Sequence, residues 1–159
     1  MQNVHIVFER LTNPDVISYE VLSSPPNTRL QERVFVIDNP KDINPVKVTV
    51  EFSKNDNINT DKYTQMFSLK HNSMLIDDKM FLNVSLNGEP FSRELVYINK
   101  KAKLLFIYYE LQDDDIITAE YHIDGVELEF QTAYEDYVYT VKPIIDGQSS
   151  LVGKHNILV

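Results

Sequence analysis

The chain has 159 residues, 43% of them hydrophobic and 11% aromatic, which is enough apolar material for a packed domain and excludes a disordered polypeptide. Its formal net charge of −9 and pI near 4.8 leave no basic face for a nucleic-acid partner, the densest cationic stretch being Lys100, Lys101 and Lys103. There is no cysteine, so disulfides, thiolate catalysis and thiolate zinc ligation are excluded.

In chain order, the N-terminus MQNVHIVFER lacks the basic, apolar and small-residue succession of a secretory signal. No apolar run approaches membrane-spanning length, so the expectation is synthesis in a cytoplasm and no membrane partner. Residues 4–10 and 16–22 read as strands separated by Asn13-Pro14. Ser24-Pro25-Pro26-Asn27 is a rigid break, 29–33 admits a single helical turn, and Asn39-Pro40 and Asn44-Pro45 bracket a loop. Val46, Val48, Val50 and Phe52 alternate with polar residues, as a half-buried strand does.

Residues 61–70 fit two patterns. Thr60 is placed to cap a helix carrying Tyr63, Met66 and Phe67 on one face, while Tyr63, Gln65, Phe67 and Leu69 also alternate. The surrounding β context favours the strand. Residues 80–86 alternate again and meet Asn87-Gly88, a turn signal. Residues 95–98 are the expected return strand, with Pro90 implying a connection longer than two residues. Residues 104–109 are apolar on both faces, which predicts a central strand.

Ile117, Ala119, Tyr121 and Ile123 form an inward row, and Asp124-Gly125 is a candidate two-residue hairpin turn. Val126, Leu128 and Phe130 would continue the row on the return, pairing Ile123 with Val126, Tyr121 with Leu128 and Ala119 with Phe130. Residues 137–141 read as a last strand ended by Pro143. The remainder turns polar through Asp146-Gly147-Gln148-Ser149-Ser150 and closes on Ile157, Leu158 and Val159. The expected fold is all-β, an antiparallel β-sandwich with hairpins over residues 1–145 and a C-terminal linker and arm over 146–159.

The chemistry-bearing residues are few. Asp113-Asp114-Asp115 lacks the alternation, glycine and distal carboxylate of a calcium loop, so a strand-to-strand turn is expected, as at Asp77-Asp78. In the hairpin register Glu120 faces Glu129 and His122 neighbours Glu127, on an exposed face suited to subunit contact or plain solvation rather than to an acid–base pair. His5, His71, His122 and His155 show no metal-ligand spacing, and four glycines build no phosphate loop. No metal, cofactor or catalytic group is therefore expected. Tyr134, Tyr137 and Tyr139 are either packing residues or a sugar-stacking strip.

The stretch LVYINKKAKLLFIYYELQDDDIITAEYHIDG, about a fifth of the chain, resembles a hairpin-and-strand pattern of structural proteins of tailed bacteriophages. Its parts are Tyr97-Ile98, a turn over 99–103, the apolar strand 104–109, the polar turn at Asp113 to Asp115, and Ile117-Thr118-Ala119-Glu120-Tyr121. It departs from that pattern at Lys100-Lys101-Ala102 and at Asp114, where glycine is usual. The resemblance implies a non-enzymatic virion subunit of connector, tail or baseplate type, made in a host cytoplasm. It would be partnered by its own copies and neighbouring virion proteins, with Glu120, His122, Glu127, Glu129, the three tyrosines and Ile157, Leu158 and Val159 as candidate contacts. A carbohydrate- or receptor-binding sandwich module using the exposed tyrosines is the alternative.

Overall fold

The computed structural model describes residues 1–76 and 82–146. The expected turn at Asp77-Asp78, the start of the 80–86 strand and the terminal Ile157, Leu158 and Val159 lie outside the described residues. Of the described residues 55% are strand and 4% helix, so the chain is all-β, as its period of two dictates. The helix consists of single 3₁₀ turns at Lys54–Asp56 and Arg93–Leu95.

The strands, in order, are β1 (Gln2–Glu9), β2 (Val16–Ser24), β3 (Glu32–Asp38), β4 (Pro45–Ser53), β5 (Gln65–Ser68) and β6 (Met74–Leu75). They continue with β7 (Asn83–Leu86), β8 (Glu89–Pro90), β9 (Val96–Asn99), β10 (Leu104–Ile107), β11 (Ile116–Thr132) and β12 (Val138–Ile145). They divide into two compact units. One contains Met1–Asn44 with the described residues from Val126 onward, the other Pro45–Gly125.

In the first unit β2 lies between β12 and β3 in an antiparallel sheet. Its position explains why Val16, Ser18, Tyr19, Glu20, Val21, Leu22 and Ser23 are all buried: the strand is covered on both faces. β1 is hydrogen-bonded to β11, and Phe8 of β1 sets its ring edge-on to Tyr19 of β2 at 4.8 Å. That contact joins two sheets around Val16, Tyr19 and Val126, against which Ile37, Val141 and Ile145 pack. β12 continues through Pro143, which pairs with Tyr19, instead of ending there. Proline is tolerated because β12 is an edge strand.

In the second unit Ile116 to Asp124 pair antiparallel with Ser53 to Pro45 of β4. On its other side β11 pairs with β7 through Ile117 to Glu120 and with β6 through His122 and Ile123. A second antiparallel sheet has the order β5, β10, β9. Phe52 of β4 stacks on Phe67 of β5 at 4.5 Å and 5°, so the two sheets face each other in a sandwich-like layer. The ambiguous segment 61–70 resolves as a strand over Gln65–Ser68. β10 is central in its sheet, as expected, with Leu105 and Ile107 fully buried and Leu104 and Phe106 half-buried.

Two expected hairpins are corrected. Asp124-Gly125 is not a turn, and β11 runs unbroken from Ile116 to Thr132. Both edges of its first half already carry partners, leaving no room for the chain to fold back on itself. The Asp124 amide donates to the Ser73 carbonyl at 2.9 Å, and the Ser73 hydroxyl donates to the Asp124 carbonyl at 3.1 Å. The pairing of Ile123 with Val126 and of Glu120 with Glu129 therefore does not form.

Asn87-Gly88 is a two-residue turn, with φ of 51° and 85°, but its return strand is Glu89–Pro90 rather than 95–98. Both residues lie in the left-handed region that this turn type requires. Residues 96–99 pair with β10 instead.

Candidate functional site

The triple aspartate is a turn whose three side chains diverge, as consecutive residues must. Asp113 meets Lys54 at 2.8 Å on the exposed surface. That hydrogen bond and charge lower the Asp113 pKa and raise that of Lys54. Asp115, by contrast, is buried. Its carboxylate accepts from the Gln112 amide and the Asn87 side-chain amide, each at 2.8 Å. These two bonds, in that order, hold its pKa below the usual carboxylate value.

Asn87 returns the contact to the backbone. Its amide donates to the Ile116 carbonyl at 2.9 Å, and its Oδ1 accepts from the Ile116 amide at 2.8 Å. The turn after β7 and the turn before β11 are thus latched together. Among the described residues no group of three or more His, Asp or Glu is placed to hold a metal.

The other acidic candidates do not converge. Glu120 pairs with Thr49 and Asn83 and lies 4.0 Å from Lys47, a distance and exposure at which a surface pair contributes little. His122 pairs with Lys47 and Leu75. Glu127 instead meets His5 of β1, Nε2 to Oε2 at 2.7 Å, both half-exposed. Glu129 lies farther along β11 on an exposed position. The strand that replaces the hairpin is what separates these residues.

The tyrosines do converge. Tyr134, Tyr137 and Tyr139 line one cleft of about 520 Å³ in the first unit, with Phe35, Phe130 and Leu30. Tyr134 and Tyr137 stack nearly parallel, 4.9 Å apart at 15°. Phe130 meets Tyr139 edge-on at 5.4 Å and Phe35 at 4.9 Å. Phe130 was legible as an inward-row residue; Phe35 was not placed by the sequence reading, although the run Val34-Phe35-Val36-Ile37 between charges carries the β-branched and aromatic signature of a strand. The cleft wall also carries Ser23, Gln31, Glu32, Gln131 and Thr132, and among the described residues no Lys, Arg or His.

β3 forms the edge of its sheet and among the described residues pairs with β2 alone. Val34, Phe35 and Val36 are consecutive and exposed by 39%, 41% and 47%. Phe35, which with Val34 lines the cleft, and Val36, which does not, point to opposite faces, so the edge is apolar on both. The ladder shifts register between Val21 and Leu22, which leaves Val34 as the extra residue of a bulge.

The chain matches no family model, no curated protein and no solved structure.

Proposed function

We propose that this chain is a non-enzymatic assembly subunit that works through protein–protein contacts, of the type that builds the connector, tail or baseplate of tailed-phage particles. The virion assignment rests on the sequence resemblance over 95–125. The observation that carries the assembly reading is the open edge of β3, with Val34, Phe35 and Val36 exposed in succession. Such an edge presents unpaired backbone groups and an apolar surface together, and a soluble chain that keeps one uncovered is prone to pair through it. A second copy is the partner that fits most simply, since two identical edges related by a two-fold axis pair antiparallel.

Sedimentation velocity of the full chain tests this. The expected result is concentration-dependent self-association that Val36→Lys abolishes, because a lysine on an edge strand blocks pairing without entering a core. A parent protein that remains monomeric up to about 100 μM, where a contact of about 5.5 kcal/mol would show, overturns the reading.

A further inference from the structure

The aromatic cleft suits a small ligand better than it suits another strand, and this goes beyond the assembly reading. We propose that it binds a neutral glycan built of hexose or N-acetylhexosamine units. Tyr134 is 61% exposed, yet its ring is backed by that of Tyr137 at 4.9 Å and 15°, which makes a flat, stiffened platform. A sugar ring offers such a platform an apolar face of C–H groups and offers the surroundings a rim of hydroxyls. The cleft answers both demands. Phe35, Phe130 and Tyr139 extend the apolar floor, while Gln31, Gln131, Thr132 and Ser23 supply amide and hydroxyl partners that both donate and accept, and the Glu32 carboxylate accepts.

Charge narrows the ligand. Among the described residues Glu32 is the sole formal charge on the cleft wall, and the chain as a whole carries −9, so sulfated, phosphorylated or sialylated glycans are repelled. The volume of about 520 Å³ accommodates a few sugar units. Tyr134 carries the site because its exposed ring is committed to no described strand: residue 134 sits in the bend between β11 and β12, with its amide held by the Thr132 hydroxyl at 3.2 Å.

The test is a titration of the full-length protein with maltohexaose, cellohexaose and chitohexaose, followed by amide chemical shifts and calorimetry. Saturable binding of at least one of them is expected, with shifts at residues 130–139. Tyr134→Ala should weaken it by about tenfold or more, the loss of one stacking contact. Tyr97→Ala, at another exposed tyrosine, in the other unit, should leave it unchanged, as should Val36→Lys, which lies outside the cleft wall. The proposal is overturned if none of the three sugars saturates at about 10 mM, a concentration that captures even weak sites. It is equally overturned if Tyr134→Ala binds as the parent does, or if decaproline occupies the cleft while the sugars do not. Val34 and Phe35 belong to both the β3 edge and the cleft wall, and the two variants keep the readings apart: Val36→Lys should remove self-association alone, and Tyr134→Ala sugar binding alone.

Discussion

Asp115 shows how one residue in a run of three identical ones acquires a different environment. Its neighbours stay at the surface while its own carboxylate is buried against Gln112 and Asn87. A lowered folded-state pKa means that the stabilisation is fully present above the unfolded carboxylate value near 3.9 and is lost as pH falls through the lower folded value. Asp115→Asn should therefore melt at a lower temperature than the parent at pH 7, since its NH₂ faces donors. The gap should narrow as pH falls through the lowered folded value, where the parent carboxylate is also protonated. Melting curves between pH 7 and 2.5 check this; a gap that stays constant would contradict it. The turn itself was legible, because consecutive aspartates cannot alternate around an ion. Its partners were not, since Asn87 and Lys54 are brought to it only by the fold.

Glu20 is a second residue whose role required the structure. It is 2% exposed and receives Nε and Nη2 of Arg33 at 3.2 and 2.8 Å. Removing the partly exposed Arg33 leaves the buried Glu20 carboxylate without its charged partner, so Arg33→Met should destabilise by about 1–3 kcal/mol. The double change Glu20→Leu with Arg33→Met should recover most of that, because it removes both charges. Urea unfolding of the three variants decides it, and a double variant no better than the single would show that packing, not charge, sets the loss.

At the scale of elements, the same turn chemistry gave two outcomes. Asn87-Gly88 and Asp124-Gly125 carry equivalent hairpin signals, and only the first is a turn. The local signal was outvoted at Asp124 by strands already bonded on both sides of β11. Burial records the same continuity: odd residues from Ile117 to Ile123 are buried, and Asp124, Gly125 and Val126 follow them without an exposed break. A turn would leave the Asp124 amide open to solvent, whereas its bond to Ser73 predicts slow hydrogen exchange there. Rapid exchange at Asp124 would restore the hairpin. At the true turn, Gly88→Val should cost about 1–2 kcal/mol, because φ of 85° strains a residue bearing Cβ even though the added atom meets nothing. β3 escaped the sequence reading for a different reason. Its apolar run lies close behind a proline-rich break and does not alternate, and edge strands exposed on both faces lack the periodic contrast that marks a half-buried one.

At the scale of the whole molecule, the all-β class was legible because a period of two recurs from one end to the other. The division into two compact units was only half legible: one boundary falls at the Asn44-Pro45 loop, while the other falls inside β11, between Gly125 and Val126, where no linker composition marks it. The tyrosine cluster was legible as a set of residues but not as a cleft, because Phe35 and the polar wall come from strands distant in sequence. The central claim is that the exposed edge of β3 is where this chain meets another copy. Hydrogen–deuterium exchange of β3 as a function of protein concentration tests it most directly, because pairing protects the outward amides of that strand and no others nearby. The account predicts that exchange across Val34 to Ile37 slows as concentration rises while β12, the opposite edge of the same sheet, is unchanged. Exchange at β3 that is fast and independent of concentration would contradict it.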